Sequence, residues 1–160
     1  MDALFQTQSN ELSTITQKEK LFKDAERQWN TLSSEKGAPG RKVDFEIYKS
    51  ILYNLEIRKV YLDSKLSLEK FSSIVGTNTT YLSNAVNNYF GCNFKRLINS
   101  YRVARAKELL DGKDCPVSEL FSRCGFASKS VFYVAFRKVV GMTPLQYILQ
   151  SRNPFMIQRN

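Results

Sequence analysis

Apolar residues recur at steps of three and four along most of the chain, and no stretch alternates between apolar and polar positions. Steps of three and four place apolar side chains on one face of an α-helix, whereas half-buried strands need strict alternation. Residues 10–34 form one amphipathic stripe between Ile15 and Leu32, and residues 44–63 give a second helical pattern. The chain is therefore predicted to be all-α, with an N-terminal amphipathic helical segment.

Turn formers and capping residues divide the remainder of the chain into shorter helices. Serine, asparagine and threonine side chains cap helix N-termini, and glycine commonly follows the last helical residue. The predicted helices run from Ser67 to Gly76, from Asn78 or Thr79 to Phe90 before Gly91, from Phe94 to Leu110, from Pro116 to Gly125, from Ser128 to Val140 before Gly141, and onward from Thr143-Pro144.

The second half of the chain repeats a pattern of its first part. Gly76 and Gly125 are 49 residues apart, and Gly91 and Gly141 are 50 residues apart. Each pair frames a short helix, a glycine turn and a second helix of about a dozen residues, which is the pattern of a helix-turn-helix. Two such subdomains are predicted, at about residues 66–91 and 116–141.

The helix between the two units, at about residues 94–111, is predicted to act as a linker. A helix of 17 residues is about 26 Å long at 1.5 Å per residue. A stiff spacer of that length could hold two recognition helices about 34 Å apart, which is one turn of B-DNA, so that one chain reads two successive major grooves. The alternative is a helical bundle in which the glycines serve only as C-caps.

The excess positive charge lies entirely in the C-terminal part. The chain has 24 basic and 15 acidic residues, for a formal net charge of +9. Residues 1–44 contain seven of each and carry no net charge, so residues 45–160 carry all of the excess. This indicates an anionic partner for residues 45–160, with nucleic acid before an anionic membrane. Residues 1–44 are predicted to be a helical segment and linker, suited to dimerisation through residues 10–34 or to connection with a sensor.

Several chemistries are excluded by the residues that the chain lacks. Histidine is absent, and Cys92, Cys115 and Cys124 form no CxxC pair. No metal site, cofactor or disulfide framework is therefore expected. No cluster has catalytic spacing, so the protein is not expected to be an enzyme. No apolar run approaches the roughly 18 residues of a membrane helix, and no signal peptide is visible, so a cytoplasmic protein is expected.

The repeated units resemble the C-terminal DNA-binding domain of AraC/XylS-type bacterial transcription regulators, over roughly residues 50–150. The first unit carries Tyr81-Leu82-Ser83 and Tyr89-Phe90-Gly91. The second carries the more specific signature, Cys124-Gly125-Phe126-x-Ser128-x-Ser130-x-Phe132-Tyr133-x-x-Phe136-Arg137-Lys138-x-x-Gly141-x-Thr143-Pro144-x-x-Tyr147. The resemblance implies activation or repression of transcription through binding to double-stranded promoter DNA and contact with RNA polymerase.

The same resemblance implies roles for individual residues. Base contacts are expected from the first recognition helix, through Thr79, Thr80, Ser83, Asn84 and Asn87, and from the second, through Lys129, Ser130, Tyr133 and Val134. Phosphate contacts are expected from Arg102, Arg105, Arg137 and Lys138. Asparagine can pair with adenine, lysine can donate to guanine, and valine can touch a thymine methyl group. Each basic residue could equally be a solvated surface charge.

Three positions depart from the family pattern. Asn84 and Val134 stand where the family often has arginine, which favours A·T-rich sites, greater use of DNA shape or weaker binding. Ser72 replaces a frequent alanine, and its hydroxyl needs a hydrogen-bond partner. Two alternatives therefore stay open: an interaction module that has lost tight DNA binding, and a basic protein that binds nucleic acid without sequence preference.

Overall fold

The computed structural model describes residues 2–35, 42–113 and 115–152, which form eight α-helices and several turns without any strand. This confirms the all-α prediction for the described part of the chain. The turn-rich break before residue 42 lies mostly outside it. The helices are α1 (Asp2–Glu35), α2 (Lys42–Leu52), α3 (Leu68–Val75), α4 (Thr79–Phe90), α5 (Phe94–Gly112), α6 (Leu120–Arg123), α7 (Lys129–Val140) and α8 (Pro144–Arg152).

The second predicted helical stretch, residues 44–63, is not one continuous α-helix. α2 ends at Leu52, and a π-helical turn follows over Tyr53–Ile57. The Arg58 amide donates to the Tyr53 carbonyl at 3.1 Å, which is the wider i→i+5 bond of a π turn. Lys59 then adopts a φ of +51°, which stops the helical run, and a 3₁₀ turn covers Val60–Leu62. Hydrophobic periodicity alone carries no sign of this interruption.

Side-chain caps set the start of four helices, α3, α4, α7 and α8, as predicted. The Ser67 hydroxyl accepts from the Lys70 amide at 3.1 Å at the start of α3, and the Asn78 side chain accepts from the Tyr81 amide at 2.8 Å at the start of α4. Ser128 caps α7 in the same way. The Thr143 hydroxyl and the Gln146 side chain each bond the other's backbone amide, which forms a capping box at α8.

The described residues form two compact units. The first contains the chain up to Val60 together with Ser67–Asn93, and the second contains Tyr61–Leu66 and the chain from Phe94 onward. α1 and α2 therefore belong to the same unit as α3 and α4, while α5 belongs with α6, α7 and α8. The boundary predicted at residue 44 does not coincide with a boundary between these units.

An aromatic cluster joins the N-terminal helices to the first helix-turn-helix. Ala25 and Trp29 of α1 are buried against Tyr48 and Leu52 of α2, and further apolar residues pack around them. The Trp29 ring lies 4.7 Å from the ring of Tyr89, in the last turn of α4. The C-terminal half of the predicted amphipathic stripe thus packs within its own chain.

The second unit has its own apolar core, built from α5, α6 and α7. Three phenylalanine rings, those of Phe126, Phe132 and Phe136, are almost completely buried there, and the Phe132 ring contacts the other two. The other buried residues of this core come from the inner face of α5, from α6 and the residue after it, and from α7: Val103, Ala106, Leu109, Leu120, Cys124 and Ala135. The core fixes which face of α7 points outward.

Candidate nucleic-acid interface

One face of α4 is polar and open to solvent. Leu82, Ala85 and Val86 are buried, so the opposite side of the helix faces outward. The five residues that the sequence assigns to base contact all lie in α4, and their exposure differs: Thr80, Asn84 and Asn87 are exposed, whereas Thr79 and Ser83 are half-buried. Their contact with bases stays a prediction.

The outward face of α7 has a different chemistry. Lys129, Ser130 and Val134 are exposed, and Tyr133 is half-buried with its ring 5.6 Å from that of Phe132. The Lys129 ammonium lies 6.0 Å from the Tyr133 ring, within the range of a weak cation–π contact. Tyr133 therefore supports the first turn of α7 as well as bordering its outer face.

The two recognition helices repeat the same division between buried and exposed positions. Residues 50 apart correspond: Leu82 with Phe132, Ala85 with Ala135 and Val86 with Phe136 are buried, while Thr80 with Ser130, Asn84 with Val134 and Asn87 with Arg137 are exposed. Each helix follows a turn glycine with positive φ, Gly76 at +84° and Gly125 at +85°. The sequence repeat is therefore also a repeat of which side chains face solvent.

Three of the four basic residues assigned to phosphate contact lie at the surface or at its edge. Arg137 and Lys138 are exposed in the last turn of α7. Arg105 on α5 is half-buried, and its guanidinium lies 3.0 Å from the Glu108 carboxylate. Exposed basic side chains are free to follow a phosphate, whereas Arg105 would first have to leave an acidic partner.

Arg102 is engaged in contacts that the sequence did not indicate. Its Nε donates to the Tyr61 carbonyl at 2.8 Å, and its Nη2 donates to the Asp63 carbonyl at 2.9 Å. The guanidinium also stands 5.5 Å from the Phe126 ring. Burial lowers the pKa of Arg102, and the nearby Asp63 carboxylate partly offsets that effect. Two of its donors thus hold Tyr61–Leu66 in place within the second unit, and contact between Arg102 and a phosphate stays a prediction.

The buried serine at position 72 has the partner that its hydroxyl requires. Its Oγ donates to the Glu69 carbonyl at 2.8 Å, inside its own helix. No buried polar side-chain atom of the described residues lacks a hydrogen-bond partner. The departure from alanine at this position is thus compatible with the packing of α3.

The part of the chain that the structure describes offers no other obvious chemistry. It contains no group of three or more acidic or cysteine side chains arranged to hold a metal ion. Cys92, Cys115 and Cys124 are free thiols. None of the described helices combines the length and the apolar character needed to cross a membrane.

Comparison with known protein sequences finds transcription regulators that are similar to this chain. The profile of a helix-turn-helix domain family matches residues 71–150, half of the chain. The transcriptional activator RhaR of Enterobacter sp. (strain 638) is 32% identical over 91 residues, which are 57% of this chain and 32% of RhaR. The melibiose operon regulatory protein of Escherichia coli K12 is 29% identical over 85 residues, 53% of this chain and 28% of that protein. The chain spans about a third or less of the length of these curated relatives.

Solved structures agree with the sequence comparison. The C-terminal domain of AraT, a response regulator from Geobacillus stearothermophilus, aligns with a TM-score of 0.58 and 28% identity, covering 66% of this chain and 84% of that domain. The DNA-binding domain of the transcription factor AdpA, solved with a target DNA, aligns with a TM-score of 0.59 over 69% of this chain and 97% of that domain. At 20% identity, the likeness to AdpA concerns the fold alone.

Proposed function

Because the chain belongs to the AraC-type helix-turn-helix family of DNA-binding transcription regulators, we propose that it recognises specific promoter sequences in double-stranded DNA. In this proposal α4 and α7 enter two successive major grooves of one duplex. The observation that carries it is the repeated outward face of α4 and α7, in which residues 50 apart are exposed in pairs. A chain with one such face would need a second copy to read two grooves.

The exposed side chains suit the two tasks of a DNA-binding surface. The Asn84 amide can form a bidentate pair with adenine, and the Lys129 ammonium can donate to guanine. Arg137 and Lys138 can neutralise phosphates, which fixes the register of the protein on the duplex and supplies much of the affinity. Base recognition is thus assigned to the outward faces of α4 and α7, and phosphate contact to the end of α7.

The proposal extends to partners that promoter regulation requires. A regulator bound at a promoter acts on RNA polymerase, and it works in the cytoplasm, where bacterial DNA lies. Self-association is assigned to residues 13–20 of α1, because they are exposed while Ala25 and Trp29 are already buried within the chain. Sedimentation of the Ile15→Asp variant tests this step, since a dimer through α1 should dissociate and a monomer should be unaffected.

Selection of bound duplexes from a random library tests the proposed function. A specific regulator should enrich one sequence and bind it at least a thousandfold more tightly than random DNA at about 150 mM salt. A protein held by charge alone loses that ratio as salt rises. Footprinting of the selected duplex should then protect two major-groove segments about one helical turn apart. Enrichment of no sequence would overturn the proposal.

Two substitutions test the assignment of the reading faces. Asn84→Ala and Lys129→Ala should each weaken binding to the selected site by about 1–3 kcal/mol and relax the preference at one position. Lys23→Ala, an exposed change on α1 outside residues 13–20, is the matched control and should leave affinity and preference unchanged. Unchanged binding by both test variants would show that α4 and α7 present other residues to the bases.

A further inference from the structure

Two valine side chains border the outward face of α7 without a packing role that explains them. Val131 is 49% exposed and Val134 is 69% exposed. Residues three apart are neighbours on a helix surface, so the two side chains lie side by side. A valine left in solvent buries little apolar area, and its branched side chain is a poorer helix former than alanine. The folding of the second unit therefore gives no reason for this pair.

The surroundings of the pair are those of the proposed DNA-binding face. Ser130 precedes Val131, and Arg137 and Lys138 lie one turn beyond Val134, all exposed. The Ser128 hydroxyl accepts from the Val131 amide at 3.3 Å, which anchors the first turn of α7. The branched side chains have few rotamers in a helix, so their methyl groups point in set directions before any ligand binds. The apolar pair is thus preorganised and flanked by groups suited to DNA.

The major groove offers one apolar feature that such a pair can recognise. Valine has no donor or acceptor, so it is unable to read the hydrogen-bonding edges of the bases, whereas the C5 methyl group of thymine is an apolar target. We propose that Val131 and Val134 read thymine through its C5 methyl group in the half-site bound by α7. This inference rests on the proposed function of sequence-specific DNA binding.

The internal repeat restricts methyl reading to one half-site. The residues of α4 that correspond to Val131 and Val134 are Tyr81 and Asn84, which carry a hydroxyl and an amide. Asn84 can recognise adenine by paired hydrogen bonds, and a methyl group contributes nothing to such a pair. The α4 half-site should therefore be read by hydrogen bonds and the α7 half-site by apolar contact.

Replacement of thymidine by deoxyuridine in the selected duplex isolates the methyl group. Deoxyuridine keeps the base pair with adenine and every hydrogen-bonding group but lacks the C5 methyl. We expect the intact chain to bind about fourfold more weakly for each contacted methyl that is removed from the α7 half-site, from the value of burying one such carbon. The same replacement in the α4 half-site should leave the affinity unchanged.

Variants of α7 establish which side chains sense the methyl group. The double variant Val131→Ala with Val134→Ala should bind thymidine and deoxyuridine duplexes equally. Val139→Ala is the matched control, because Val139 is 48% exposed on the same helix but lies beside its buried face. This control should keep the discrimination of the parent chain. Circular dichroism of each variant confirms that its helices are intact.

The outcomes distinguish failure of thymine methyl reading from failure of the proposed sequence-specific DNA binding. If a duplex is selected and bound tightly, but deoxyuridine in the α7 half-site costs no affinity, methyl reading is overturned while promoter recognition stands. Discrimination that persists in the double variant overturns the assignment to Val131 and Val134. Failure to select any duplex overturns the proposed function, and the inference falls with it.

Discussion

Single residues hold the segment Tyr61–Leu66 against the rest of the second unit from two sides. Arg102 bonds two of its carbonyls, and the rings of Tyr61 and Tyr101 lie 5.6 Å apart. On the other side, the Tyr61 backbone lies directly against Gly125, because a Cβ at position 125 would stand 2.3 Å from the Tyr61 carbonyl oxygen. Gly125 is thus required both by its φ of +85° and by the backbone that faces it.

Substitution of two turn glycines separates these requirements. Gly76→Ala should lower the free energy of unfolding by about 1 kcal/mol, because Gly76 has a positive φ but no atom within 4 Å of a Cβ. Gly125→Ala adds a backbone clash and should lower it by about 3 kcal/mol or more. Urea denaturation followed by circular dichroism measures both. Equal losses would show that the Tyr61 carbonyl moves aside at little cost.

The buried thiol of Cys124 should be chemically silent in the folded protein. Burial among apolar side chains raises its pKa to about 12, although the charge of Arg105 acts in the opposite direction. A thiol reagent at pH 8 should label the half-buried Cys92 and Cys115 and should reach Cys124 only after unfolding. Mass spectrometry of the labelled peptides checks this expectation, and rapid native labelling of Cys124 would contradict it.

The same pKa shift has a defined sign for stability. The folded state binds the Cys124 proton more tightly than the unfolded state does. This contribution is therefore fully present below the unfolded thiol pKa of about 8.5 and is lost as the pH rises toward 12. Cys124→Ala removes the contribution, so the variant should lose less stability than the parent over that alkaline range.

At the scale of elements, the C-terminal half of α1 is anchored to the first helix-turn-helix. Around Trp29 the rings of Phe45 and Tyr48 lie 5.5 and 5.6 Å away. The Tyr89 hydroxyl donates to the Asp44 carboxylate at 3.0 Å, which ties the last turn of α4 to the start of α2. The N-terminal helices therefore stabilise the end of the first recognition helix.

Truncation of Trp29 should expose this dependence. Trp29→Ala removes a large buried ring and should lower the free energy of unfolding by about 3–5 kcal/mol. Lys23→Ala, an exposed change on the same helix outside residues 13–20, is the control and should change it by less than about 0.5 kcal/mol. Because Trp29 is the chain's one tryptophan, unfolding must be followed by circular dichroism. A small loss for Trp29→Ala would mean that α4 is stable without α1.

For the whole molecule, the distribution of charge directs binding to the C-terminal part. The excess of nine positive charges lies in residues 45–160, while residues 1–44 are neutral overall. Neutralising phosphates releases counterions from DNA, so affinity depends on salt in proportion to the number of phosphates contacted. The slope of log affinity against log salt therefore reports how many phosphates the basic side chains contact.

We expect Arg137 and Lys138 to contribute to the slope of log affinity against log salt. Each alanine variant should reduce the magnitude of the slope of log affinity against log salt by about 0.9 and should weaken binding to all sequences alike. Lys23→Ala on α1 serves as the reference, since its side chain is exposed within the neutral segment. Dissociation constants measured between about 50 and 200 mM salt give the slope for each variant. An unchanged slope in both variants would remove the end of α7 from the phosphate contacts.

The sequence by itself determined most of the helices, four of their caps and the repeated helix-turn-helix units, because each depends on residues close together in the chain. Ser67, Asn78 and Ser128 begin the helices that follow them, and the helix from Phe94 extends two residues beyond its predicted end at Leu110. The buried and exposed faces of α4 and α7 also follow from local periodicity. The outward position of Val131 could have been found in the same way.

The tertiary structure alone decided the features that join residues distant in sequence. The partners of Arg102 lie 41 and 39 residues away, and the contact between Trp29 and Tyr89 spans most of the first unit. Local pattern carries no information about which backbone faces Gly125 or which helix covers α4. Side-chain packing at these distances depends on the folded chain as a whole, and it shows that Arg102 has a structural role that local pattern does not reveal.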